Sequence, residues 1–348
     1  MNTKIVILTL LLAVVIFSGC IDINVPPEET HEDTPIDIQQ DEEQPDEVQI
    51  EENVNETPAY AIVDKTKIGD GLNPALEVYN ETLFIFREKY AGNNYDIYYN
   101  TYDGSLGDKV HVEGTIKDDK YPSTTVFEEK LYLFTTEIAS ETSTNNLITY
   151  KTYDGKWGDA QKIDHMEYDT YTKTVAGVYN HDLYMLFSQG LKNQEGKIKS
   201  RRLSSAWVGG PMNTQSIASE KNPAIVIEGG KLHMLYESYY SEKNEIFHRY
   251  YYDGKWQKAQ QITNSEKPAY KTTGDIEIFE GKLHATWYTD GEIYLSTYEA
   301  GIWSSATQLT SNDYSDETPS LEVYDGKLYI AWVSQKEPAP YVYLGVIE

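Results

Sequence analysis

Apolar and polar residues alternate in short runs along most of this chain, and the runs recur. The segment Pro-Ala-Leu-Glu-Val-Tyr at 74–79 is echoed by Pro-Ser-Leu-Glu-Val-Tyr at 319–324 and by Pro-Ala-Ile-Val-Ile-Glu at 223–228. Each is followed by a short turn, then by Leu with an aromatic residue or His: Leu83-Phe84, Leu131-Tyr132, Leu183-Tyr184, Leu232-His233, Leu283-His284 and Leu328-Tyr329. The leucines are 48, 52, 49, 51 and 45 residues apart. A period of this size, with four short strands per unit, is the pattern of propeller blades. In the fourth unit the alternation predicts an inner strand over 224–228, a Gly229-Gly230 turn and a second strand over 231–237. A third strand over 246–252, a tight turn at Asp253-Gly254 and an outer strand over 256–263 follow. Beyond Cys20 no stretch shows helical periodicity.

The sixth unit stops at its third strand, 341–347, and the missing fourth is matched by 61–68, which precedes the first unit. The expectation is an all-β, six-bladed propeller of four-stranded antiparallel blades over residues 57–348. The N-terminal strand completes the last blade, so no open sheet edge is left to template aggregation.

The opening of the chain reads differently. Lys4 precedes an uncharged apolar run over 5–17, short for a membrane-spanning helix. Phe17-Ser18-Gly19-Cys20 resembles the prokaryotic lipobox, in which the chain is cut before a Cys that carries lipid. Cys20 is the only cysteine, so no intramolecular disulfide forms. Residues 1–20 are therefore expected to be a lipoprotein signal sequence, and the rest to be exported and anchored to the outer face of the cell membrane. Residues 21–56 hold fourteen Asp or Glu and neither Lys nor Arg, the composition of an extended, disordered tether.

Charge narrows the function classes. The formal net charge is -27, and from Thr57 onward 42 acids face 28 bases. Nucleic acid is excluded as a partner, because phosphate binding needs clustered Lys and Arg. No cofactor motif appears, and a monomer is expected.

The turns Asp154-Gly155-Lys156-Trp157 and Asp253-Gly254-Lys255-Trp256 resemble degenerate Asp-box (BNR) repeats of the sialidase superfamily, with shortened spacing. Glu299 to Trp303 is looser, and Ser205-Ala206-Trp207 keeps only the Trp. The resemblance implies a propeller and, for an enzyme, three arginines around a substrate carboxylate, a Tyr activated by Glu and an Asp acid/base. The chain has only Arg87, Arg201, Arg202 and Arg249. The first ends a second strand and the others fall on third strands, which argues against sialidase chemistry.

A glycosidase of neutral sugars needs only two facing carboxylates. Asp275 is the leading candidate, since other units place Ala75, Ser123, Val175, Ala224 and Ser320 there. Glu237, at the end of a second strand, is its candidate partner, and Glu88 is the equivalent in the first unit. The plainer reading makes these solvated loop-end acids. Glu77, Glu277 and Glu322 share one inner-strand position, where they would suit a hard cation or else pair with Lys282 and Lys327. His233 and His284 replace aromatic residues and read as packing. Asn55 and Asn80 head glycosylation sequons. Loops rich in Tyr and Asn gather on one face, with Tyr90, Tyr95, Tyr239, Tyr240 and Asn244 as candidate ligand contacts. The expected function is a surface propeller that binds a glycan or protein partner without catalysis. A polysaccharide-cleaving enzyme and a purely structural envelope component are the alternatives.

Overall fold

The structure is a computed structural model. It describes residues 60–114, 117–138, 146–166, 173–189, 196–214, 219–240, 243–264, 271–336 and 338–348. Cys20, Asn55 and the acidic tether lie outside them.

Six antiparallel sheets form the blades of a propeller. Their inner strands are Leu72–Tyr79, Asp118–Phe127, Thr174–Tyr179, Ser219–Glu228, Lys271–Phe279 and Asp316–Tyr324. Each turns back into a second strand through a tight hairpin. The predicted Asp253-Gly254 turn is present, with φ of 50° and 79°. The last blade is closed as expected: Ile62–Asp70 pairs antiparallel with Tyr341–Ile347. Ala61 and Glu348 also exchange backbone hydrogen bonds of 2.8 and 3.0 Å.

The core is not central. It is split into six clusters, each filling the space between two neighbouring blades. This follows from the sheets' geometry, since alternate side chains of one blade face opposite neighbours. Each Trp that follows a third-strand turn packs on the blade before it. Trp157 lies edge-on to Phe86 at 6.0 Å, and Trp207 does the same to Phe134 at 5.9 Å. Such pairs contribute about 0.5–1.5 kcal/mol beyond their buried area.

The predicted outer strand over 256–263 is corrected. In the fourth blade it is two short pieces, Lys255–Trp256 and Gln260–Gln261. Trp256 turns inward, its Nε1 donating to the Met212 carbonyl at 3.3 Å, and the chain leaves the ladder before rejoining it.

Five inner strands carry a β-bulge near their start. Four of these bulges contain a residue at positive φ followed by proline: Asn73, Tyr121, Asn222 and Thr318, at 47° to 54°. Proline is tolerated because the inner strand is an edge strand, and its missing N–H removes no ladder bond. These bulges position the acids considered next.

Candidate functional site

The acids singled out from the sequence lie at the bulges and along the central channel. Asp275 sits on the inner strand of the fifth blade. Its Oδ2 accepts from the Ser320 hydroxyl at 3.0 Å and the Leu321 N–H at 3.1 Å, and its Oδ1 from the Ile276 N–H at 2.9 Å. The Leu76 N–H donates in turn to Ser320 Oγ at 3.2 Å. One carboxylate thus links the free edges of three inner strands, from the fifth, sixth and first blades. Those edge groups would otherwise be buried without partners. Lys173 crosses from the third blade to donate to the Gly274 carbonyl at 3.0 Å. Around Asp275, Ser320, Ser123 and Lys173 the channel narrows to a cavity of about 60 Å³.

Glu237 and Glu88 hold bulges rather than standing solvated at loop ends. Glu237 accepts from Asn222 Nδ2 at 2.6 Å and from Asn244 Nδ2 at 3.1 Å. Glu88 is buried and accepts the Tyr121 N–H of the next blade at 2.9 Å, and burial raises its pKa. Asn244, a candidate ligand contact, is therefore engaged with Glu237. Burial raises the pKa of the Tyr288 phenol, and the charges of Glu317 and Glu237 add to the effect against a hydrogen bond with Thr272.

Glu77, Glu277 and Glu322 face one another closely enough to interact. Burial and mutual repulsion push Glu77 up to about 8. Burial, with repulsion from Asp275, pushes Glu277 up to about 7, and Glu322 is also raised, first by burial. Among the described residues, no three His, Cys, Asp or Glu converge in a metal cage. The expected pairing of Glu277 with Lys282 is corrected. Glu277 Oε1 accepts from the Ile278 N–H at 2.8 Å, and Lys282 pairs with Glu299 at 2.9 Å. Lys282 stands opposite Phe279 in the hairpin, while Glu277 stands opposite His284.

The arginines are committed to the fold. Arg87 is buried, donating to the Asp70 carbonyl at 3.1 Å and to Asn100 Oδ1 at 2.8 Å. It packs so tightly that a Cβ at Gly71 would lie 2.7 Å from its Cδ. Arg249 Nη2 reaches both oxygens of Glu220 at 3.0 Å. Arg202 pairs with Asp182 at 3.3 Å, and Arg201 stacks over Phe187 at 5.4 Å. No three of them converge.

On the face where second strands end and inner strands begin, tyrosines stand out. Tyr90 and Tyr239 are 56% and 54% exposed, and Tyr314 is 40% exposed. Tyr90 packs edge-on to Tyr95 at 5.4 Å, and Lys120 Nζ lies over the Tyr95 ring, 4.2 Å from its centroid. The side chain of Tyr240 lies outside the described residues. Tyr314 was not singled out from the sequence; its place just before an inner strand is the signal that marks it. Asn80 is exposed in the first hairpin turn at φ 49°. His233 and His284 are both buried, as packing residues are.

No protein-family model matches the chain, and no curated protein matches its sequence significantly. Solved structures match its fold. The sialidase of Trypanosoma rangeli, in complex with the inhibitor DANA, superposes with a TM-score of 0.61 at 10% identity over 84% of this chain. This chain spans only 60% of that sialidase's length. A subtype N10 neuraminidase-like protein of A/little yellow-shouldered bat superposes with a TM-score of 0.54 at 10% identity, over 84% of this chain and 99% of that one. At these identities the likeness is one of fold: a sialidase-like six-bladed propeller.

Proposed function

We propose that this chain is an exported protein, held to the outer face of the cell membrane by lipid on Cys20, whose propeller binds a glycan or protein partner without cleaving it. The observation that carries this reading is a division of roles. The candidate carboxylates and the four arginines make contacts within the fold, while Tyr90, Tyr239 and Tyr314 are exposed on the face where second strands end. Tyrosine offers a rigid apolar ring with a polar tip, suited to sugar rings and to adaptable protein contacts. The acidic tether over 21–56 gives the propeller reach away from an anionic membrane surface.

The test is a glycan array probed with the full chain in detergent, scored for both retention and cleavage. Retention without cleavage is expected, lost in the Tyr90→Ala/Tyr239→Ala double variant. Neither retention nor cleavage would leave a protein partner or a structural envelope role. Cys20→Ser is expected to move the chain from the membrane to the aqueous fraction.

A second reading, a glycoside hydrolase, would use Asp275 and Glu237 as a carboxylate pair at the propeller mouth. Against it, both carboxylates accept hydrogen bonds from the fold, Asp275 from Ser320 and Leu321 and Glu237 from Asn222 and Asn244. Cleavage of an array glycan, abolished by Glu237→Gln, would establish this reading instead.

A further inference from the structure

Inner strands turn into second strands at the opposite end of the blades from Tyr90 and Tyr239. There the hairpin of one blade meets the last inner-strand residue of the blade before it. At the first interface that residue is Tyr79, whose hydroxyl donates to the Glu129 carbonyl in the second blade's Glu128-Glu129 turn at 3.0 Å. At the third interface Tyr179 holds the place of Tyr79, and the fourth blade's turn is Gly229-Gly230. Of the six such turns, this is the one with no side chain at either position. A Cβ added to either glycine would meet no atom within 4 Å. A cleft of about 640 Å³ lies there, between the third and fourth blades. That is within the size range of small-ligand sites.

Four tyrosines line the cleft. Tyr179 packs edge-on to Tyr184 at 6.2 Å and to Tyr251 of the next blade at 6.1 Å. Tyr184 stands where the first blade has Phe84, so this interface carries one more hydroxyl. Arg202 hydrogen-bonds the Tyr184 hydroxyl from outside the lining. The last interface also gathers three tyrosines, Tyr102, Tyr324 and Tyr329. There Tyr329 and Tyr102 are hydrogen-bonded to each other, and the adjoining turn is Asn80-Glu81. The fourth blade has a further difference. Its third-strand turn is one residue longer than that of the second blade, since Tyr251 pairs with Trp256 where Tyr153 pairs with Trp157. The added residue is Tyr252, 49% exposed at the cleft. Asn180 and Asp253 are exposed beside it, and Asp253 is the one charged side chain among the described residues of the lining. Tyrosine rings offer apolar faces to the C–H surface of a sugar ring. Phenols, an amide and a carboxylate answer its hydroxyls, which both donate and accept. A wall with a carboxylate and no cation selects against an acidic sugar.

We propose that the cleft between the third and fourth blades binds a neutral pyranose, its ring against Tyr252 and its hydroxyls shared among Asn180, Asp253 and the phenols. This site is at the other end of the blades from Tyr90 and Tyr239, and its failure would leave the reading of that face untouched. A lone pyranose in an open cleft binds too weakly to survive the washing of an array. A titration therefore reads this site, and the array reads the opposite face.

The experiment titrates methyl β-glucopyranoside, methyl β-galactopyranoside and methyl α-mannopyranoside, each alone, into the full chain in a detergent without a sugar headgroup. The chain is isotope-labelled at glycine, so the Gly229 and Gly230 amide resonances locate the site and give Kd. A saturable shift of both amides is expected from at least one glycoside. The matching methyl uronide, which differs by one carboxylate, should bind about tenfold more weakly or not at all. Tyr252→Ala, at an exposed position, is expected to weaken binding about tenfold. Gly229→Glu/Gly230→Glu, which installs the turn of the second blade, should abolish it. If that double variant has a lowered Tm, Tyr252→Ala carries the test alone. Tyr90→Ala/Tyr239→Ala should bind as the parent does. No saturable shift from any glycoside, equal binding of the uronide, undiminished binding in Tyr252→Ala, or binding lost in Tyr90→Ala/Tyr239→Ala overturns the proposal.

Discussion

Asp275 carries three hydrogen bonds and joins three blades, so its replacement is a stability experiment before it is an activity experiment. In Asp275→Asn an amide N–H₂ must meet either the Leu321 and Ser320 donors or the Ile276 N–H. The expected loss is about 1–3 kcal/mol in urea unfolding, with glycan retention unchanged within a few-fold. A variant as stable as the parent would show the staple to be idle. Thr318 tests the bulge from the other side. A β-branched residue at φ 49° is strained, and its buried hydroxyl has no partner. Asn, which tolerates this conformation, should stabilise the chain by about 1 kcal/mol. The roles of these residues were not legible in the sequence. Glu88 and Glu237 look like loop-end acids because their partners, Tyr121 and Asn222, are set by register between strands. The recurring dipeptides Asn73-Pro74, Tyr121-Pro122, Asn222-Pro223 and Thr318-Pro319 were the signal that could have placed the bulges.

At the scale of elements the sequence was far more informative, for a physical reason. Second strands are buried on both faces, so their Leu-aromatic pairs recur with little freedom, and hairpin turns need residues that accept positive φ. Outer strands have one face in solvent and few ladder bonds, so their pattern is weak, and the two-piece outer strand of the fourth blade escaped it. Closure was legible because a blade lacking a strand must find one. It also makes a prediction. Deleting residues 1–59 should leave the Tm of the propeller unchanged, since the ring starts at the Ala61–Glu348 exchange. Extending the deletion through Asp70 removes Ile62 and Ile68 from the core and bares the edge of Tyr341–Ile347. Loss of a cooperative melting transition and concentration-dependent aggregation are expected. A deletion variant that melts cooperatively as a monomer would mean the last blade closes without this strand.

The whole molecule carries an excess of acid, and its channel concentrates part of that excess. Glu77, Glu277 and Glu322 interact with one another and with Asp275, and Lys173 reaches across to the Gly274 carbonyl beside them. Folding raises the three glutamates above the ordinary range near 4.5, Glu77 to about 8 and Glu277 to about 7. The native chain therefore holds protons that the unfolded chain has released. That contribution is fully present below the unfolded pKa and is lost as pH rises through the folded one. The histidine pair acts with the opposite sign. Burial lowers His233 to about 4 and His248 to about 3, so its contribution is lost as pH falls below the ordinary histidine value of about 6.5. Between pH 5 and 6.5 the two sets oppose each other, so the Tm should fall less than the three glutamates alone would make it. Above about pH 7 the histidines are neutral in both states and only the glutamates act. The Tm should then fall by several degrees between pH 7 and 9. Glu77→Gln, which removes the charge and keeps the shape, should raise the Tm at pH 8 and flatten the slope. A Tm independent of pH in that range, or a Glu77→Gln variant less stable than the parent at pH 8, would mean that the channel acids are ionised and compensated in the native state.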